Sequence, residues 1–420
     1  MTGEECMVHY DFETIAERKG SLSVKYAPQV IQRICGNPEA LPFWVADMDF
    51  PVAPAIQAAL AAQASHAVLG YPTFSGLRET FIEWTTKRHA WTPPVSRTVV
   101  CPGMLSSLAL MTELFIPAGK AIIVPMPAYQ PFIRLARHAS RPVLEWPMRY
   151  DGQTHRFSPD LDLLEHLAPD GNAGLLLLCS PHNPTGHVFT HDELHAIATI
   201  AAKNNLAVFS DEIHADLAYP GATHVPFDVV AQRCGCTAIT CMAPSKTFNI
   251  AGEHYSMAVF SRQDQAKAFI RRLESLFIGT SLLSTVTAMA AYRDGYDWLA
   301  DLTVFLDSQA NHIGHVLESR TASLRLVKPE ASFIAFIDCQ AIMDRVKADA
   351  LATPQVYDSR QSPDGGLLSR FFGQRAGIAM NDGSWFGQGY GGFVRFNFGT
   401  SRHLVDIALE RIISAVEHLG

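Results

Sequence analysis

Apolar residues fall in short unbroken runs through the middle of the chain, with helically spaced ones between them. Thr98–Cys101, Ala121–Val124, Gly174–Cys179, Leu206–Phe209, Ala238–Met242 and Tyr255–Phe260 read as buried strands. Ser106–Phe115, Pro131–His138 and Asp192–Lys203 read as helices, the last with Leu194, Ile197, Ala198 and Ala201 on one face. Thr190 and Glu193 have the spacing of a capping box at its start. Strands that are apolar on both sides, alternating with helices, predict an α/β fold with a largely parallel sheet covered on both faces. After about residue 285 the texture changes. A helical stretch from Leu283 to Leu317 has a break near Gly295. Strands at Phe333–Asp338 and Phe393–Phe398, a loop at Asp358–Gly366 and a closing helix Leu404–His418 then make a smaller α+β unit.

Composition narrows the function. The 420 residues suggest two or three domains, and 48% apolar against 18% charged residues excludes disorder. Lys plus Arg number 33 and Asp plus Glu 41, so the net charge of −8 gives no reason to expect nucleic acid or an anionic membrane as partner. No apolar run approaches the ~18 residues that span a bilayer, and the start MTGEECMVHYDF is too polar for a secretory signal. The eight irregularly spaced cysteines suit reduced thiols in a cytoplasmic protein. Cys234-Gly-Cys236 has no matching pair at finger spacing, so no metal is expected. His187, His191 and His195 stand four apart, but Thr190 caps the helix after the first, so they read as solvated surface.

The chemistry collects just after the strands, where open α/β sheets bind ligands. Pro102-Gly103-Met104-Leu105 opens a helix; Tyr129, Asn183, Asp211 and Lys246 follow the next apolar runs. A Gly-led helix start suits a phosphate, an aromatic face suits a planar ring, and an amine can form a Schiff base. A carboxylate can hold a pyridinium nitrogen, and an amide can bond a phenolic oxygen. One ligand uses all five: pyridoxal 5′-phosphate (PLP). No P-loop pattern occurs, and Gly387-Gln-Gly389-Tyr-Gly391-Gly392 follows no predicted strand, so a dinucleotide is not favoured.

Tyr129, Asn183-Pro-Thr-Gly186, Asp211-Glu-Ile-His214, Ser245-Lys246-Thr-Phe-Asn249 and Arg395, in this order, resemble the fold-type I PLP enzymes of the aminotransferase class I/II group. Trp44-Val-Ala-Asp-Met-Asp-Phe50, His214, Asn381-Asp-Gly383 and Phe393-Val-Arg-Phe-Asn-Phe398 are similar to the MalY/PatB-type cystathionine β-lyases, or C–S lyases, within it. The resemblance implies a large PLP-binding domain over residues 51–285 and a small C-terminal domain over 286–420, with an N-terminal segment, 1–50, packed on the small domain. Lys246 would carry the cofactor and move the Cα proton. Asp211 would pair with the ring nitrogen, Asn183 would bond the phenolate oxygen, Tyr129 would stack on the ring and His214 would support the site. Gly103, Met104, Leu105 and Ser245 would hold the phosphate, joined by Tyr71 from the partner of a homodimer with shared sites. Arg395 would bind the substrate carboxylate.

The implied activity is β-elimination of a thiol from cystathionine or a related cysteine thioether, giving pyruvate and ammonia. An aminotransferase on the same scaffold, a specialised deaminase or decarboxylating enzyme, and an added regulator-binding role are the alternatives. Two positions depart from the pattern. Gln130 stands where many relatives have a second Tyr, and Glu253-His254 follows Ala251-Gly252 where relatives often have Leu. The latter pair either alters substrate choice or faces solvent.

Overall fold

In the computed structural model, which describes residues 10–419, seven strands form the main sheet. They are β1 (Thr98–Cys101), β2 (Ala121–Met126), β3 (Val143–Pro147), β4 (Ala173–Cys179), β5 (Ala207–Asp211), β6 (Ala238–Met242) and β7 (Ser256–Phe260). Their order is β1-β7-β6-β5-β4-β2-β3, with only β7 antiparallel to its neighbours. Alternation along each strand sends side chains to two cores. Ile122, Val124, Leu175 and Leu177 pack with Leu108, Met111 and Phe269. Ile123, Leu176 and Leu178 pack on the opposite side with Leu194, Ile197 and Val230. The largely parallel, doubly covered sheet expected from the apolar runs is therefore what forms.

The helix expected at Asp192 runs from His191 to Lys203, and Thr190 and Glu193 close a reciprocal capping box at its start. One neighbour differs from expectation. His191 and His195 are exposed, but the His187 side chain is mostly buried, with Nε2 3.1 Å from Glu193 and Nδ1 3.5 Å from Glu330. The loop before the cap folds back onto the helix start, so the capping carboxylate faces the imidazole. Despite burial, these two carboxylates raise the His187 pKa to about 9.

The long helical stretch divides at Gly295 into Leu282–Asp294 and Tyr296–Arg320. A smaller antiparallel sheet follows: β8 (Arg325–Leu326), β9 (Ile334–Asp338), β10 (Asn381–Asp382) and β11 (Phe393–Asn397), in the order β8-β9-β11-β10. The closing helix Arg402–Glu417 adds Val405, Leu409, Ile412 and Ile413 to its core. Near the other end of the chain, Leu41–Pro42 pairs in parallel with Ile378–Ala379. Cys6 and the rest of residues 1–9 lie outside the described residues. Among the described residues no helix is long and apolar enough to cross a membrane, and no group of His, Cys, Asp and Glu side chains could hold a metal ion.

A Cβ at Gly295 would lie 2.4 Å from Phe248 Cε1 and 2.5 Å from the Ala291 carbonyl oxygen. Gly295→Ala is therefore expected to destabilise the protein by about 1–3 kcal/mol, read as a lowered thermal midpoint.

Candidate active site

β1, β2, β4, β5 and β6 point the same way, so their carboxyl ends bring their loops to one edge of the sheet. A cavity of about 340 Å³ opens there. Its wall contains Gly103, Met104, Leu105, Tyr129, Asn183, Asp211, His214, Ser245 and Lys246. Gly103, at φ +126°, turns the chain from β1 into the helix Met104–Phe115 in a conformation that a side chain disfavours. The first N–H groups of that helix have no intrahelical acceptor, and they form one end of the cavity. Tyr129 immediately precedes the helix Gln130–His138, its ring edge-on to Phe132 at 5.4 Å.

The charged groups are held without mutual neutralisation. Lys246 donates from Nζ to the Ala46 carbonyl at 2.6 Å, and burial lowers its pKa to about 8. Asp211 is buried at the end of β5 and accepts one hydrogen bond, 3.1 Å from Ile213 N. Burial raises its pKa to about 7. His214 is kept neutral by burial, with a pKa of about 3, and its Nδ1 lies 3.0 Å from Ser332 Oγ.

Arg395 does not line the cavity but reaches its wall through Asn183, whose Oδ1 accepts from Nη1 at 3.2 Å. Its Nη2 donates to Asn381 Oδ1 at 2.7 Å and the Trp44 carbonyl at 2.8 Å. Its Nε is buried with no partner, and no ion pair to it forms among the described residues. Burial lowers this guanidinium to about 10.

Residues 44–50 form a strap across the site whose function comes from its backbone. Besides the Trp44 and Ala46 carbonyls, Asn249 accepts from Met48 N and donates to the Met48 and Phe50 carbonyls. Asn397, two residues beyond Arg395 on β11, donates to the carbonyls of Val45 and Asp47. Lys25 is buried against Asp49 at 2.9 Å, and Arg18 contacts both Asp47 and Asp49. Sequence reasoning marks the strap and Asn381 as family signs but misses Arg18, Lys25 and Ser332, which carry no signal in their local pattern. Of the departures, Gln130 is exposed and outside the cavity, whereas Glu253 and His254 line it. Glu253 accepts from Ser284 Oγ at 2.8 Å. Tyr71 stands outside its own chain's cavity, fully exposed in the loop after the helix Pro54–His66.

The sequence profile described as "Aminotransferase class I and II" matches residues 42–412. The chain belongs to this family. Cystathionine beta-lyase PatB of Bacillus subtilis is 29% identical over 409 residues, covering 97% of this chain and 100% of that protein. Cystathionine beta-lyase of Corynebacterium glutamicum is 30% identical, covering 90% and 94%. The crystal structure of cystalysin from Treponema denticola, which contains a pyridoxal 5′-phosphate cofactor, superposes with a TM-score of 0.87 at 28% identity, covering 98% of this chain and 100% of that one. The family fold and the strand-end site thus agree.

Because burial lowers Lys246 from 10.5 to about 8, the unfolded chain holds more protons than the folded one between these values. The Lys246 contribution to stability therefore rises with pH across that window. In protein freed of bound small molecules, Lys246→Met is expected to flatten this part of a thermal-midpoint profile.

Proposed function

We propose that the protein is a PLP-dependent C–S β-lyase that cleaves cystathionine or a related cysteine S-conjugate to a thiol, pyruvate and ammonia. One observation carries the reading: a buried lysine amine whose pKa is lowered to about 8 lies within electrostatic reach of a buried guanidinium that has no carboxylate partner among the described residues. The relatives named cystathionine beta-lyase support it.

The residues fit PLP. At Gly103 an added Cβ would have only His254 Nδ1 within reach, at 4.0 Å, so the helix start leaves room for a phosphate. Ser245 lines the same cavity and would add its hydroxyl to the phosphate. Asp211 is a buried carboxyl with one hydrogen-bond donor, suited to a cationic ring nitrogen. Lys246 would anchor the aldehyde carbon, Tyr129 would cover the ring and Asn183 would meet its phenolic oxygen. His214, neutral and tied to Ser332, would support the ring without exchanging protons. Bound PLP supplies a cationic ring that draws electrons from the Cα of the amino acid it holds.

Arg395 orients that amino acid through a two-point contact to its α-carboxylate. With a pKa of about 8, roughly a tenth of Lys246 is neutral near pH 7, and in that form it takes the Cα proton. The electron pair left at Cα expels the thiolate from Cβ, and water then yields pyruvate and ammonia. A thiolate leaves readily, so elimination outruns the proton return that transamination needs. Tyr71, exposed beside Val68, Leu69 and Phe74, completes the phosphate end of a partner's site in a homodimer. The seven described cysteines are free, which suits a cytoplasmic enzyme.

Cystathionine given to the loaded enzyme should yield pyruvate and free thiol with no keto acid added. A keto-acid requirement would favour the aminotransferase alternative, and CO₂ release the decarboxylating one. Lys246→Ala should abolish turnover and the visible absorbance of the loaded enzyme. Arg395→Lys should raise KM about tenfold or more, with a smaller effect on kcat. Co-expressing Lys246→Ala with Tyr71→Ala chains should restore activity, because one site of the mixed dimer is then intact. Mixed dimers no more active than the parent variants would rule out shared sites.

A further inference from the structure

The pair Glu253-His254 departs from the family pattern, and the sheet fixes where it stands. β7 pairs antiparallel with β1, with Ser256 opposite Cys101. Carried two residues past the strand ends, this register sets His254 opposite Gly103, the residue that opens the helix Met104–Phe115. The side chain follows its backbone: His254 Nδ1 lies 4.0 Å from the point where a Gly103 Cβ would stand. Both residues line the cavity of Lys246.

The two neighbours are committed differently. The Glu253 carboxylate accepts from Ser284 Oγ at 2.8 Å and from Ser281 Oγ at 3.5 Å. These hydroxyls stand at the start of the helix Leu282–Asp294, where negative charge is favoured. The His254 ring is exposed to the cavity mouth and has no hydrogen bond or ion pair among the described residues. Glu253 therefore leaves the imidazole available.

Charge balance says what the imidazole is available for. A phosphate monoester carries about two negative charges near pH 7, whereas a helix start offers roughly half a positive charge. Ser106 and Ser245 line the cavity and bring hydroxyl donors but no charge. The basic side chains of the lining are Lys246, His214 and His254. Lys246 is needed at the aldehyde carbon. His214 is kept neutral by burial and tied to Ser332 Oγ. Arg395 lies behind Asn183, outside the lining, and is reserved for the substrate carboxylate. His254 is left as the side chain of the lining that can bring a full positive charge to the Gly103 end.

We propose that His254 is a cofactor-binding residue whose imidazole donates to the PLP phosphate beside the start of the helix Met104–Phe115 and supplies its counter-charge. Glu253 ties the loop that carries it to the helix Leu282–Asp294. The inference rests on the PLP site and not on the lyase reaction.

The test is to free the full chain of cofactor and titrate it with PLP and, separately, with pyridoxal, which lacks the phosphate. Each dissociation constant is read from the visible absorbance of the bound form. His254→Ala should weaken PLP binding about tenfold or more, since a hydrogen bond to a charged group is lost, and leave pyridoxal binding unchanged. His254→Arg keeps a cation at the same position and should retain the preference for PLP. Thermal midpoints establish that each variant is folded, as expected at an exposed position. An equal loss for PLP and pyridoxal in His254→Ala would mark a purely structural role and overturn the proposal. So would unchanged PLP affinity accompanied by an altered choice among cysteine thioethers. A parent chain that binds no PLP would overturn the cofactor reading and this inference with it. A parent that binds PLP and a His254→Ala variant that binds it equally well would overturn this inference alone.

Discussion

The site depends on holding two buried cations, Lys246 and Arg395, without neutralising either. A carboxylate paired closely with each would fix the charge on the lysine and occupy the fork of the arginine. Backbone carbonyls of the strap serve instead, Ala46 for the amine and Trp44 for the guanidinium. A carbonyl dipole stabilises a cation less than a full negative charge does, so burial still lowers both pKa values. The strap then has to be rigid, because a carbonyl that drifts an ångström ceases to accept.

That rigidity comes from both sides. Asn249 sits three residues after Lys246 and binds the strap from the large sheet's side. Arg395 and Asn397 share a face of β11, as alternate strand residues do, and bind it from the small sheet. Asp47 and Asp49 anchor it to Arg18 and Lys25. The strap's own acidic residues, Asp47 and Asp49, are therefore spent on holding it. Removing Asp49 would leave the buried Lys25 ammonium with only Asp47, 3.9 Å away, as a counter-ion.

Much of this was legible in the sequence where side chains do the chemistry. Strand ends in a parallel sheet share an edge, so Gly103, Tyr129, Asn183, Asp211 and Lys246 could be brought together by topology alone. Hidden were interactions made by main-chain atoms or by residues distant along the chain. Nothing in the strap's local pattern says that its carbonyls face two cations, and Arg18 and Lys25 lie in a stretch with no periodic signal. His187 was misread for a related reason: a position before the Thr190 cap does not tell that its loop folds back onto the helix start. Tyr71 enters the site only as an expectation from family resemblance, since its own chain leaves it in solvent.

The reversed strand β7 has one more consequence. It pairs antiparallel with β6, its immediate predecessor in the chain, so the segment bearing Lys246 is the connection of a hairpin-like unit. Closing that loop needs only a local encounter, whereas the parallel pairs around it require longer crossovers. The Lys246 amine therefore rides on the part of the sheet with the smallest entropic cost of closure. Its position is set by near neighbours in sequence, and the distant strap has only to meet it.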